Sequence, residues 1–416
     1  MKPLQRRRVV GYADPVAVRR ALTLTLFYAM FTVPFAVVRK VRLARVVARG
    51  AARILGPAVH ALDEENALTK KKPVLLAALA ILAVPIAACG SSSSSTGSSK
   101  TLVGAGSTLV APLLSQWQPE YEKKTGIAVA YSAIGSGGGI SSITARDVDF
   151  GASDAPLTED ESKEAEKGGS KVVQIPWALA ATVIAYNVPG LGDELKLTGP
   201  VVAEIFLGKI KTWNDPKIAA LNPGVTLPAT SIVPVYRTDG SGDTYALTNY
   251  LSHVSPEFKS TVGTSTQVHW PVGVGGKGNS GIGAALKANP GSIGYIAIAY
   301  VVANKFDYAL IQNAAGKYPV PGIPSISAAA ATLKEVPSNN EISIVDPPAS
   351  APGAYPISTF TYALVPLKAP KAATLKPFLK WAVSPEAQAF GPKLEFAPLP
   401  SLVVNAAEKT IATVEP

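Results

Sequence analysis

Tyr236-Arg237-Thr238-Asp239-Gly240-Ser241-Gly242-Asp243-Thr244 gathers in one short stretch the groups an oxyanion needs: a guanidinium, hydroxyls, and glycines that let backbone N–H groups converge. The apolar run from Thr230 to Val235 before it reads as a buried strand, and Tyr245 to Leu251 after it carries helical spacing. The glycines therefore fall where a helix begins. A helix N-terminus presents unpaired N–H groups and the positive end of the macrodipole, so the stretch reads as half of an anion clamp. Downstream of residue 72 the chain has only two arginines, Arg146 and Arg237. A protein that grips an oxyanion with a planar two-point fork must use one of them. Local chemistry alone fits an Asp-Gly turn beside a surface arginine equally well, and the rest of the chain decides between the two.

Working outward, Leu102-Val103 leads into Gly104-Ala105-Gly106-Ser107-Thr108-Leu109-Val110-Ala111-Pro112, and an amphipathic stretch from Leu113 to Lys124 follows. This predicts strand, glycine turn, helix. Neither the dinucleotide glycine spacing nor a phosphate-loop Gly-Lys-Ser/Thr is present. Val129 to Tyr131 reads as the next strand, before Gly135-Ser136-Gly137-Gly138-Gly139. Asp149-Phe150-Gly151-Ala152-Ser153-Asp154-Ala155-Pro156 closes a third. Three such turns at the carboxyl ends of strands would line one crevice of an open α/β sheet.

With 416 residues the chain has room for two or three domains. Its net charge of +10 is concentrated at one end. Residues 1–72 hold 15 Lys+Arg against 4 Asp+Glu, and the remainder holds 24 against 25. A near-neutral body argues against nucleic-acid binding, because it offers no basic stripe to neutralise phosphates. Lys70-Lys71-Lys72 followed by Pro73 to Ala88 has the form of a signal peptide. Ile86-Ala87-Ala88-Cys89 then resembles the lipobox of bacterial lipoproteins, with the chain's one cysteine as the lipid-modified N-terminus. The alternative is a buried apolar thiol. Residues 89–100, lipidated Cys and Ser/Gly run together, read as a flexible tether. Residues 1–66 lie upstream of that signal peptide (67–88). They are either a spurious extension from a start placed too early or a membrane segment at Ala21 to Val38, which is barely long enough to span a bilayer.

Four runs, Gly104 to Pro112, Gly135 to Gly139, Asp149 to Leu157 and Arg237 to Thr244, resemble the anion-contacting segments of the phosphate-binding lipoproteins of the bacterial phosphate ABC transporter, the PstS family. The likeness continues through Leu207-Gly208-Lys209-Ile210-Lys211-Thr212-Trp213-Asn214-Asp215, His269-Trp270-Pro271-Val272-Gly273, Gly275-Gly276-Lys277-Gly278-Asn279 and Gly291-Ser292-Ile293-Gly294-Tyr295, to Tyr355-Pro356-Ile357-Ser358. It covers about residues 101–402. The resemblance implies an α/β, two-lobed periplasmic-binding-protein fold (class II), each lobe a mixed sheet flanked by helices with a hinge between. It implies a monomer outside the cell membrane that binds inorganic phosphate without cofactor or metal. Its partners would be the permease subunits and ATPase of an ABC importer. Trp177 to Val188 and the Pro/Ala-rich Ile342 to Ile357 are the expected crossings, giving lobe one as 101–182 plus 350–416 and lobe two as 183–349.

Carried over residue by residue, the phosphate pocket would comprise Thr108, the Leu109 N–H, Ser136, Asp154, Arg237, Ser241, Gly242 and Asp243. Two positions depart from the family pattern. Leu109 stands where Phe is common, and Asp243 replaces a Thr that donates a hydroxyl. Asp243 reads either as a second acceptor for a phosphate hydroxyl or as a helix N-cap. Asp239 reads as the partner that holds the Arg237 guanidinium flat or as a simple turn residue.

Competing chemistries find little in the body. Gly275 to Ser280 lacks the Ser/Thr that follows Gly-Lys in a phosphate loop and reads as a turn. No Gly-x-Ser-x-Gly elbow exists, and the body has only His253 and His269, so a hydrolase triad is hard to assemble. His269 beside Trp270 reads as a packed structural histidine, and Arg146 as a surface helix charge. Ser153 reads as a pocket hydroxyl or a strand-end residue. A lipid-anchored phosphate sensor and a phosphate-ester hydrolase remain as alternatives to a transport protein.

Overall fold

The computed structural model describes residues 101–192 and 195–416. The upstream extension, the signal peptide, Cys89 and the tether read from the sequence lie outside the described residues.

The chain starts with β1 (Thr101–Gly106), α1 (Ala111–Thr125), β2 (Ala128–Ala133), α2 (Ser136–Thr144), β3 (Phe150–Ser153), α3 (Glu159–Glu166) and β4 (Val172–Asn187). The next part comprises β5 (Leu195–Leu197), α4 (Gly199–Phe206), α5 (Pro216–Leu221), β6 (Val233–Arg237), α6 (Gly242–Val254), α7 (Pro256–Thr261), β7 (Val274–Gly276), α8 (Gly278–Ala288), β8 (Ser292–Ala297), α9 (Ile298–Asn304), β9 (Asp307–Ile311) and α10 (Ile323–Ala330). It returns through β10 (Ser358–Pro366), α11 (Ala372–Ala382), α12 (Pro385–Gln388) and α13 (Ser401–Thr413).

The strands run in the order β2-β1-β3-β10-β4-β8-β6-β7, with β9 also against β4 and β5 against β9. Two parallel wings, β2-β1-β3 and β8-β6-β7, flank the antiparallel pair β10 and β4. β4 is the common spine. Residues 172–181 of it pair with β10, and residues 182–187 pair with β8. Its 16 residues, at about 3.3 Å each, span on the order of 50 Å. The run is apolar almost throughout, as a strand covered on both faces requires.

β1, β2 and β6 each feed a helix through a glycine turn read from the sequence. Helix α1 buries Leu113, Leu114, Trp117 and Tyr121 on one face and stops at Gly126, whose φ of 70° is the left-handed cap. Trp117, Trp177 and Phe150 then pack edge to face beneath the first wing. Phe206, Phe258 and Tyr295 surround Trp270 beneath the second. The strand expected from Thr230 starts three residues later. Residues 230–232 bond instead to the 211–213 segment, Ile232 N–H to Lys211 O at 2.8 Å and Trp213 N–H to Thr230 O at 3.1 Å. Among the described residues no helix is long and apolar enough to cross a membrane.

Candidate anion-binding site

The carboxyl ends of β1, β2 and β3 face those of β6 and β7, and helices α2, α6 and α8 all begin in the gap. Gly106 makes the first turn possible: its φ is 143°, and a Cβ there would lie 2.0 Å from Ala152 O. The turn delivers Ser107, whose Oγ sits 2.6 and 2.7 Å from the two carboxylate oxygens of Asp154. The same oxygen accepts the N–H groups of Leu109 at 3.0 Å and Val110 at 3.3 Å. Ser136, the first residue of α2, donates to Asp154 Oδ2 at 3.3 Å and accepts the N–H groups of Asp154 and Gly242. Thr361 on β10 donates to Asp154 Oδ1 at 2.8 Å.

Asp154 is therefore a buried carboxylate held by three hydroxyls from three elements. Removal from water, and then the charge of Asp243, push its carboxyl up to about 7; the hydroxyls of Ser107 and Thr361 and the Arg237 cation pull it back only in part.

Arg237 ends β6 opposite. Its side chain is 1% exposed and joined to Asp239, Nε to Oδ1 at 2.8 Å and Nη2 to Oδ2 at 2.6 Å. Nη1 donates to Asp243 Oδ2 at 3.0 Å. Burial opposes the guanidinium charge, but Asp239 and Asp243 outweigh it and hold the group cationic. Burial also works to raise Asp239, yet the bonds and charge of Arg237 and the Gly278 N–H leave it below the usual carboxylate range. For Asp243 the balance is reversed: burial wins over Arg237, Thr182 and Asn279, and its carboxyl is raised. One guanidinium among three carboxylates would leave the site negative if all ionised. The raised Asp154 and Asp243 are the physical response.

The helix cap expected of Asp243 belongs to its neighbour. Ser241 is the N-cap of α6 and its Oγ accepts the Thr244 N–H at 3.3 Å. Asp243 turns inward to Arg237, to Thr182 Oγ1 at 2.8 Å and to Asn279 Nδ2 at 2.8 Å. A full cation and two side-chain donors outweigh the partial charge of the helix end. Asp239 does hold the guanidinium flat, by the paired bonds above.

Of the residues named from the sequence, Thr108, Ser136, Asp154, Arg237, Gly242 and Asp243 are linked by hydrogen bonds or close contacts in this gap, while the Ser241 side chain caps α6. Thr108 receives Asn279, and Gly242 approaches so closely that a Cβ would fall 2.3 Å from Asp154 Cβ. The two sides also touch through their backbones, with the Gly137 N–H donating to Gly240 O at 3.0 Å. The Leu109 N–H is taken up by Ser107 Oγ, a local partner the sequence reading did not include. Ser107, Thr361 and Asn279 were missed altogether. The signal for Thr361 is its class: Ser358, Thr359 and Thr361 put hydroxyls into a strand buried along its whole length.

Three further expectations are settled. Ser153 is a strand-end residue, its Oγ closing a turn onto Ala155. Arg146 is not a surface charge: it is partly buried, with φ of 61°, and donates to the carbonyls of Ile143, Ala165 and Ser170. The guanidinium ties the last turn of α2 to the end of α3 and to the loop before β4. His269 is exposed, and the packed residue of that pair is Trp270.

A mixed sheet whose two parallel wings direct their turns and helix starts into one shared cleft defines a binding protein of the periplasmic type, and residues 91–386 match the family described as PBP superfamily domain. Among solved structures, the chain superposes with a TM-score of 0.59 on a high-affinity periplasmic phosphate-binding protein (PfluDING) bound with phosphate, at 21% identity over 75% of this chain and 93% of that one. A phosphate-binding protein from Stenotrophomonas maltophilia gives 0.59 at 20% identity, over 74% and 93%. These likenesses show the two-lobed α/β fold. The phosphate-binding protein PstS of Xylella fastidiosa (strain Temecula1 / ATCC 700964) is 42% identical over 73% of this chain and 83% of its own length, and that of Pasteurella multocida (strain Pm70) 39% over 76% and 91%. The chain belongs to the PstS family of phosphate-binding proteins.

Proposed function

We propose that this chain binds inorganic phosphate outside the cell membrane and delivers it to the permease and ATPase subunits of an ABC importer. The observation that carries the reading is the pairing of Arg237 with Asp154 across one cleft: a fixed cation for the anion's charge and a buried acceptor for its remaining proton. Thr108, the Leu109 N–H, Ser136, Asp154, Arg237, Ser241, Gly242 and Asp243 form the proposed contact set. Leu109 joins it once an anion oxygen replaces Ser107 Oγ as its acceptor.

The lobes are residues 101–182 with 350–416, and 183–349. The change of β4 partner between Ala181 and Thr182 supports a hinge there. Ligand contacts to both lobes then favour the closed form, a population shift that commits the anion to the cleft. Cys89 carries the lipid that tethers the monomeric body to the membrane. Calorimetric titration of the purified protein with phosphate and with sulfate tests the reading. Tight binding of phosphate with sulfate excluded is the expected result, and equal affinity for both would overturn it.

A further inference from the structure

Asn279 is fully buried at the start of α8, and every polar group it owns in the cleft is committed. Its Oδ1 accepts the Ala297 N–H at 2.8 Å, which fixes which way the amide faces. Its Nδ2 then points two protons at two different residues, Thr108 Oγ1 at 2.8 Å and Asp243 Oδ2 at 2.8 Å. Its backbone N–H reaches Thr108 Oγ1 as well, at 3.3 Å.

The consequence falls on Thr108. A hydroxyl has two acceptor sites and one proton. Both acceptor sites are filled by Asn279, so the proton of Thr108 has to be donated elsewhere, and the hydroxyl becomes an obligatory donor. Thr108 comes from the turn after β1, and Asn279 comes from the opposite side of the cleft, beside Arg237 and Asp243. One amide therefore closes the cleft and sets the direction of a donor within it. Tyr300, whose O–H donates to Thr108 O at 3.1 Å, backs the same segment from α9.

Resting on the reading of this cleft as the phosphate site, we propose that Asn279 is a positioning residue for anion binding. It acts through Thr108, polarising that hydroxyl to donate to the anion, and it latches the two sides of the cleft together after the anion has entered. It need not touch the anion itself. The second bond, to Asp243, holds that carboxylate against Arg237.

The test is a double-mutant cycle on the full protein with Asn279→Ala and Thr108→Val, read by phosphate calorimetry and stopped-flow kinetics. Losing an oriented hydrogen bond to a charged ligand costs roughly 10- to 100-fold in affinity, and each single variant is expected to fall in that range. The double variant should lose little more than the worse of the two, because both remove the same donor. For Asn279→Ala most of the loss should appear as faster dissociation, since the latch forms after encounter. Asn279→Asp has the same shape and keeps the acceptor for Ala297, so it guards against a packing effect. It should bind at least as weakly as Asn279→Ala. Multiplicative losses in the double variant, or wild-type affinity in Asn279→Asp, would overturn the positioning role while leaving the phosphate reading intact. A wild type that does not bind phosphate overturns both.

Discussion

Arg237 and Asp239 are locked edge to edge by two parallel bonds of 2.8 and 2.6 Å, and this fixes which face of the guanidinium remains for a ligand. Five N–H groups are available on an arginine. Two go to Asp239 and one to Asp243, so two are left for the anion. A lysine has three protons on one atom and cannot satisfy two carboxylates and an anion from a single plane. Arg237→Lys is expected to lower phosphate affinity by roughly 30-fold or more, the scale for disrupting a buried charged pair. Near-equal affinity by calorimetry would show that the fork is not used.

Gly242 is the second point where geometry leaves no slack. A Cβ at this position meets Asp154 Cβ at 2.3 Å and Asp154 Oδ2 at 2.5 Å, within the contact that joins the two sides of the cleft. Gly242→Ala should force the sides apart and displace the Gly242 N–H from its place at Ser136 Oγ. Overpacking of this kind costs about 1–3 kcal/mol, and here it falls on the closed form. The expected readout is phosphate affinity down by roughly 10- to 100-fold, with the ligand-free melting temperature nearly unchanged. A large fall in that temperature with unaltered affinity would place the strain elsewhere.

These contacts also mark how far the sequence could be read. Glycine turns announce themselves because few other residues make them, so the strand ends at Gly106 and Gly135 were legible, and with the Asp154-Ala155-Pro156 break after β3 so was the crevice. The long apolar run around Trp177 was legible as a strand, but its start at Val172 was not, because Val172 to Pro176 carries the polar Gln174. Partners brought in by the tertiary fold were invisible. Thr361 reaches Asp154 across 207 positions and Asn279 reaches Thr108 across 171, and neither distance leaves a local pattern. Of the two readings left open for Asp243, the cap fails for the opposite reason. Its local pattern fits a cap, and a cation six residues earlier draws the side chain away.

Cys89→Ala should release the protein from the membrane, because acyl chains supply most of the affinity of a tethered body whose leader has been removed. Fractionation followed by intact-mass measurement checks it. The wild type should begin at Cys89 with added lipid mass, and peptides from residues 1–66 in that product would contradict the expectation.

Asp154 also sets how stability depends on pH. Its carboxyl stands at about 7 in the folded protein, against roughly 3.9 in an unfolded chain. Between these values the folded state holds the extra proton, so stability falls as pH rises from about 4 to about 7 and then levels off. Asp243 is raised too and adds to the same slope. Asp154→Asn removes one of the two contributions. Without phosphate the variant should exceed the wild type by on the order of a few kcal/mol above pH 7, with the gap closing towards pH 4. Urea unfolding at several pH values measures it, and parallel curves for the two proteins would remove Asp154 as the source.

The same proton decides what the cleft accepts. Phosphate keeps at least one proton through the neutral range, its second ionisation lying at about 6 to 7, whereas sulfate has none. An ionised carboxylate accepts hydrogen bonds and donates none. Asp154 in that form can therefore receive a phosphate hydroxyl, and it meets sulfate as acceptor against acceptor in a site removed from water. That is selection by repulsion, and sites built around one ligand hydroxyl reject an analogue without it by roughly 10⁴- to 10⁵-fold. A protonated Asp154 is different, because it can donate to either anion. With its carboxyl at about 7 in the ligand-free protein, the preference for phosphate over sulfate should be greatest near pH 8 and should shrink as the pH falls through 7 towards 5.5. Asp154→Asn carries a permanent donor in place of the carboxylate and should show weak discrimination at every pH. Asp243→Thr removes a charge that helps to raise the Asp154 carboxyl, so the trend should persist but move to lower pH. Paired titrations of phosphate and sulfate across that range decide the matter. If Asp154→Asn excludes sulfate as strongly as the wild type does at pH 8, the carboxylate is not what reads the proton.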